Sequence, residues 1–449
     1  MNNYFQKLTH AAPLAVFRII LGMMLFLSIV RFWSKGWIYD LYIAPAHYFP
    51  FYGFDFIKPL GDNTYFLFAF CAVCAVLVSI GLFYRIAIIG LFLSFTYIEL
   101  IDKSTYLNHY YFISMVLLLM VFLPANRYFS LDAARNRNLL ADQIPRWCLD
   151  SLKLLVFILY FYAGLAKLNS DWLLHALPLK IWLPARNDMP VIGFLFNYTW
   201  IAYFFSWFGC IYDLTIGLFL WNRRTRLFAY ITVVLFHGLT AMLFPIGMFP
   251  YIMIVTALIF FSDDFHKNLI SKTNFLLKSG ADFIVPQNVF RFKKLNQDIL
   301  LAGLVIFFSI QLLMPFRYLL YPGELFWTEE GYRFSWRVML MEKAGYAQFT
   351  VKDASGKQIV VNNNDFLTPL QEKMMSAQPD MILQYAHLLR DHYAKEGFDS
   401  PQVYVDSYVA LNGRRGRTFV SPDTDLAKEK ESFKHKSWIL PLNDEIKGF

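Results

Sequence analysis

Lys167 stands at the end of an apolar run, in the block Tyr160-Phe-Tyr-Ala-Gly-Leu-Ala-Lys-Leu-Asn-Ser-Asp-Trp172. A lone ammonium at the edge of hydrocarbon is costly, and burial among apolar side chains favours the neutral amine, which is a base. Its sequence neighbours Phe161, Tyr162, Leu165 and Leu168 are apolar enough to draw a lysine down from its ordinary value of about 10.4. His109 opens a second apolar run, His237 lies in the later half of a third, and Glu99 and Asp102 close a fourth. Separate helices thus deliver titratable groups to one depth, near the outer leaflet, where an amine freed of its proton could serve as a base. Asp213 and Arg18 fall nearer the other end of their runs and read as a structural ion pair or helix-end contacts.

The elements that must position these groups are membrane helices. Hydrophobic residues make up 57% of the chain and charged residues 16%, against about 25% charge in a soluble domain. A spanning helix needs roughly 20 apolar residues. Nine runs qualify: Leu14–Val30, Thr64–Tyr84, Ile86–Ile101, Tyr106–Leu123, Leu152–Lys167, Trp200–Trp221, Leu227–Phe244, Ile246–Phe261 and Ile299–Phe316. Segments on one side carry Arg85, Arg127, Arg135, Arg137, Arg146, Arg223, Arg224, Arg226 and the basic residues of the loop Ser262–Gln297; the other side carries fewer, chiefly Arg31, Lys35, Lys58, Lys103, Lys180 and Arg186. The positive-inside rule then puts the N-terminus in the cytoplasm and everything after Phe316 in the periplasm or lumen.

Beyond Phe316 the continuous apolar runs give way to amphipathic segments. Ala347–Val351 and Gln358–Val361 flank Asp353-Ala-Ser-Gly356 as a hairpin, Pro379–Lys395 carries Ile382, Tyr385, Ala386, Leu389 and Tyr393 at helical spacing, and Gln402–Leu411 alternates up to Asn412-Gly413. The expectation is a polytopic α-helical membrane protein of about nine spans over residues 1–316, followed by a smaller α+β extracytoplasmic domain over 317–449. The net charge of +8 belongs to the inner loops, and no basic patch with interleaved aromatics marks a nucleic-acid partner. Cys71, Cys74, Cys148 and Cys210 all precede the outer domain, so no disulfide staples it. That composition favours a bacterial inner membrane over the endoplasmic reticulum. No spacing of metal ligands, P-loop or nucleophile elbow is present, and His47 and His175 read as solvated loop residues.

Several blocks together carry a resemblance. Tyr106-Leu-Asn-His-Tyr-Tyr111, Phe122-Leu-Pro-Ala-Asn-Arg-Tyr-Phe-Ser-Leu-Asp132, the Gly164–Trp172 block, Phe236-His-Gly, Leu243-Phe-Pro-Ile-Gly-Met-Phe249, Gly331-Tyr-Arg-Phe-Ser-Trp336, Pro401-Gln-Val-Tyr-Val-Asp406 and Trp438-Ile-Leu-Pro-Leu442 resemble the vitamin K-dependent gamma-carboxylase family. The resemblance implies an enzyme that oxidises vitamin K hydroquinone (phylloquinol or menaquinol) with dioxygen to the epoxide. The alkoxide base so formed removes a γ-proton from a peptide glutamate, and carbon dioxide traps the carbanion. It implies Lys167 as the base that deprotonates the hydroquinone, His109 with Asn108 in the same site, and His237 as another pocket residue, with Tyr162 beside them. It also implies Tyr332 and Trp336 as contacts of the glutamate substrate, with Arg333 or Arg337 available to a carboxylate. The partners implied are the lipid bilayer, the quinol and a glutamate-containing secreted peptide, with no metal.

The chain departs from the animal enzymes at two points near the site: Met341 stands where they carry a histidine, and Ala166 where they carry a second lysine. Much of their long C-terminal region is also missing from the match. Two other readings therefore stay open: an epoxidase without peptide carboxylation, and a transporter or lipid-binding protein in which Lys167 and the histidines form a relay.

Overall fold

A computed structural model describes residues 2–276 and 288–449. Every apolar run forms a helix: α1 Ala12–Ser34, α2 Thr64–Ile80, α3 Tyr84–Ile101, α4 Asn108–Phe122, α5 Trp147–Leu165, α6 Thr199–Trp221, α7 Arg226–Leu243, α8 Phe249–Thr256 continued by a 3₁₀ turn to Phe260, and, after α9 Asp263–Leu276, α10 Lys294–Leu313. Among the described residues seven helices are long and apolar enough to cross a membrane, or eight if α8 and α9, bent by 115°, count as one broken span. The expectation of nine full spans is corrected to that extent. Its two short members have local causes. Helix α4 has 15 residues, about 22 Å at ~1.5 Å per residue, and stops where Leu123 meets Pro124, a residue pair that resists helix. Helix α8 starts late, with Pro250 in its first turn, and loosens into a 3₁₀ turn. Of the polar loop Ser262–Gln297, α9 occupies the first part, while residues 277–287 lie outside the described residues.

The helices gather two sets of loops at opposite ends. At one end Leu8–His10 pairs antiparallel with Gln143–Pro145, Thr9 donates to Asp263, and the Asp142 amide donates to Asn288. Arg18, fully buried on α1, donates to the carbonyls of Ala125 and Phe129, so it is the helix-end contact its position implied. At the other end lie Lys103, Asn108, Asp171 and Trp182, each bonded to the C-terminal region: Lys103 to Asp380 at 2.9 Å, Asn108 to the Arg337 carbonyl at 2.8 Å, Asp171 to Arg414 at 2.7 Å, and Trp182 to Glu342 at 2.6 Å.

That C-terminal region is α+β. Four antiparallel strands, β1 Lys343–Lys352, β2 Gln358–Val360, β3 Gln402–Leu411 and β4 Arg417–Thr418, run in the order β2-β1-β3-β4. After α11 Pro369–Met375, helix α12 Pro379–Lys395 lays Ile382, Tyr385, Ala386, Leu389 and Tyr393 on the sheet, all buried. Gly397, at φ 87°, ends it, since only glycine enters that region without cost. The hairpin, α12 and β3 stand where the sequence predicts them, with β1 starting four residues earlier, at Lys343. One apolar cluster holds the membrane helices and also Trp336; a second joins the sheet to Ala166, Trp172, Ile201 and Leu243 at the helix ends. Side chains from both halves of the chain thus share each core.

Candidate active site

Helices α5 and α6 touch backbone to backbone. A Cβ on Gly164 would lie 2.6 Å from the Leu214 amide nitrogen, and one on Gly217 would lie 2.6 Å from the Phe157 ring. This approach brings Asp213 on α6 under Lys167, two residues past the end of α5. The Lys167 Nζ donates to Asp213 Oδ2 at 2.8 Å and to the Ala163 carbonyl at 3.0 Å, and lies 5.2 Å from the centre of the Trp172 ring. Both side chains are buried. The sequence reading surrounded Lys167 with apolar groups alone; the structure adds a carboxylate in direct hydrogen-bond contact. Gly164→Ala is expected to cost about 1–3 kcal/mol from overpacking and to slow turnover by parting this pair. A variant that melts at the parental temperature in detergent would rule out so close a contact.

His237 on α7 completes the cluster. Its Nε2 lies 2.8 Å from the Tyr160 hydroxyl, and its buried Nδ1 has no partner among the described residues. Lys167, Asp213, His237 and Tyr160 line one cavity with about 80 Å³ of free space, walled by Trp172, Phe236, Phe244 and Phe249. Phe249 separates the two histidines: its ring centre lies 5.8 Å from that of His237 and 5.7 Å from that of His109. No group of three or more His, Cys, Asp or Glu arranged to hold a metal occurs among the described residues.

The remaining wall comes from the C-terminal region. Val338 and Met339 line the same cavity, at the end of a segment whose backbone turns left-handed at Gly331, Phe334 (φ 60°), Trp336 (φ 58°) and Met339 (φ 51°). Aromatic residues in that region are strained by ~1–3 kcal/mol each and persist only where their surroundings fix them. The fixing contacts are visible. Trp336, fully buried, lies on Tyr111 with ring centres 4.7 Å apart; the Phe334 amide donates to the Tyr106 hydroxyl; and Asn108 holds the Arg337 carbonyl. Arg333 donates to Asp380 at 2.6 Å and to Gln378, and Asp380 also receives Lys103. Burial alone would raise the Asp380 carboxyl, but Arg333 and Lys103 hold it well below the usual carboxylate range. A depressed carboxyl contributes its full stability above the unfolded value of about 3.9 and loses it as pH falls further. The segment is therefore expected to resist protease at about pH 5 and to open only below about pH 4, which limited proteolysis across 331–340 would reveal.

Behind this wall lies a second cavity of about 390 Å³, lined by Arg337, Asn169, Glu324 and the stretch Leu442–Phe449. Arg337 is buried with Nε, Nη1 and Nη2 all lacking a hydrogen-bond partner among the described residues. Its guanidinium carbon lies 4.7 Å from the Tyr318 ring centre and 5.2 Å from that of Phe449. Lys167 and Asn169, like Val338 and Arg337, line the two cavities from positions one or two residues apart, so the same short segments form the partition.

Comparison with known families bears on this two-part site. An HTTM domain matches residues 6–265, and the lumenal domain of vitamin K-dependent gamma-carboxylase matches residues 296–445. The chain belongs to the vitamin K-dependent gamma-carboxylase family. No solved structure matches it. Family membership supports a carboxylase-like enzyme of the membrane, with vitamin K as the implied cofactor and glutamate-containing substrates as the implied partners.

Within this gamma-carboxylase family member, Lys167 and His237 meet in one cavity, with His109 behind the Phe249 ring. Asn108 binds the backbone of Arg337. Tyr162 lies apart: its hydroxyl donates to the Leu312 carbonyl on α10 and its ring packs on Phe316, while Tyr160 faces the site. Trp336 is wedged into the membrane core, Tyr332 packs near Phe326, and Arg333 is committed to Asp380, whereas the Arg337 guanidinium has ring contacts but no hydrogen-bond partner among the described residues. Asp102 caps Ser104 and receives Gln371 of α11, so it serves docking, and neither it nor Glu99 lines the cavity. His47 is not a solvated loop residue: burial, then the Lys103 charge, lower it to about 4. Asp213 and Tyr160 are the groups that the sequence left out of the site; the signal for Asp213 was a carboxylate inside an apolar span, which is rare without a purpose.

Proposed function

We propose that the protein is a vitamin K hydroquinone-dependent glutamyl carboxylase whose reaction chamber is closed jointly by the membrane helices, residues 1–316, and the C-terminal domain, residues 317–449. One observation carries this reading: a buried lysine–aspartate pair and a histidine nitrogen without a partner line an apolar cavity whose lid is a segment of the C-terminal domain. The residues suit an aromatic diol: aromatic walls for the ring, with Lys167 Nζ and His237 Nδ1 as polar contacts for its hydroxyls. When bound, the hydroquinone supplies, on oxidation by dioxygen, a base far stronger than any side chain near pH 7.

The chain's own part is to start, orient and shield that chemistry. Lys167 Nζ, held by Asp213 and the Ala163 carbonyl, is placed to take the proton of a hydroxyl of the bound diol, with the Asp213 carboxylate balancing the charge that forms on the amine. Tyr160 fixes the ring of His237 through Nε2, which leaves Nδ1 to orient the bound ring. Val338, Met339 and Phe249 exclude water, which would consume a strong base at once. Arg337, across the partition, holds the substrate carboxylate by charge-assisted hydrogen bonds. Hydroquinone would enter from the bilayer and peptide from the periplasmic or lumenal side, the N-terminus being cytoplasmic.

Met341, in the position of the family's histidine, favours one alternative: epoxidation without peptide carboxylation. Purified protein in lipid, given reduced vitamin K, labelled carbon dioxide and glutamate peptides, separates the readings. Label in glutamate with epoxide is expected. Epoxide without label moves the assignment to the alternative, and neither product rejects both.

A further inference from the structure

At the end of the bundle far from Lys167, a cavity of about 560 Å³ gathers Arg85, Arg127, Arg291 and Lys293 with Asn296, and no carboxylate lines it among the described residues. The cations come from three places: the start of α3, the loop after α4, and the approach to α10. None of the four forms an ion pair among the described residues. Arg85 donates to the Val121 carbonyl at 2.6 Å, and Arg127 donates to the Leu139 carbonyl at 3.3 Å while its guanidinium carbon lies 4.4 Å from the Phe290 ring centre. The Nε of Arg127 is buried and unpartnered. Burial first, and the Arg85 charge second, lower the Arg127 pKa, so these cations repel one another.

We propose that this cavity binds the phosphodiester headgroup of an anionic phospholipid. Four like charges held together against backbone and ring contacts are stabilised by an anion. The rest of the lining identifies its source as lipid and not free phosphate. Val121, Phe122, Ile299 and Leu300 form the adjoining wall, and Phe122 and Ile299 are exposed on the outside of the bundle, where acyl chains run. A zwitterionic headgroup would bring its own cation into a field of four, so the site selects headgroups with net negative charge. This assignment is independent of the chemistry proposed at Lys167.

Native mass spectrometry of the full chain, titrated with phosphatidylglycerol, phosphatidylcholine or inorganic phosphate, tests it. Phosphatidylglycerol is expected to be retained at least about 10-fold better than phosphatidylcholine, and retention should fall about 30-fold in Arg127→Gln/Arg291→Gln, given roughly 1 kcal/mol per cation. Arg223→Gln/Arg224→Gln, which removes two exposed cations at the same end of the bundle, should leave retention unchanged. If the first pair fails to fold, Arg291→Gln alone, at an exposed position, should still lower retention about 5-fold. Equal retention of both lipids, an equal loss in the Arg223/Arg224 variant, or displacement of lipid by millimolar phosphate would each overturn the proposal.

Discussion

Lys167→Ala is expected to suppress hydroquinone epoxidation by about 10²–10⁴-fold, the range for losing a positioned general base. The same substitution strands the Asp213 carboxylate among α5, α6 and Trp172. Breaking a buried pair from one side costs about 3–5 kcal/mol, so loss of activity alone does not separate catalysis from folding. The double variant Lys167→Ala/Asp213→Asn does. Removing both charges should return most of the stability, read as the melting midpoint in detergent, while turnover stays at the level of the single variant. Added small amines should partly restore epoxide formation in the single variant, where the carboxylate is still present to hold them, and less in the double. Epoxidation at the parental rate in either variant would remove Lys167 from the mechanism.

Arg337→Met is expected to act in the opposite sense on stability. A buried guanidinium without hydrogen bonds is a cost to the fold, and an apolar side chain of similar length should match or exceed the parental melting point. If the guanidinium holds the substrate, losing a hydrogen bond to a charged group, about 1.5–3 kcal/mol, should raise the KM for a glutamate peptide about 10- to 100-fold. The ratio of carboxylation to epoxidation should fall with it, because the hydroquinone cavity lies on the other side of the partition. Unchanged peptide kinetics would return the second cavity to a packing defect.

How much of this was legible in the sequence follows from the physics of each element. Apolar runs near 20 residues identify membrane helices with little ambiguity, and α12 and β3 declared themselves by periodicity and by the glycines that end them. Tyr160 and Tyr162 show where periodicity was not applied far enough. Two residues apart on a helix, they are about 200° apart around its axis and cannot face the same site. The pairing of Asp213 with Lys167 depends on how deeply Gly164 and Gly217 let two helices sink together, a distance that no single segment encodes. The left-handed turns at Phe334, Trp336 and Met339 were equally hidden, because nothing in an aromatic residue announces a positive φ; contacts with Tyr106, Asn108 and Tyr111, more than two hundred residues away, impose it.

That last dependence bears on how such enzymes can be rebuilt. Val338 and Met339 line the Lys167 cavity two and three residues after Trp336, which is seated on α4. A chimaera that joins one relative's helices to another's sheet domain would carry the buried lysine intact and still leave its chamber ajar, unless Tyr106, Asn108 and Tyr111 travelled with the graft. The boundary at which the polypeptide changes character is not the boundary at which its chemistry can be cut.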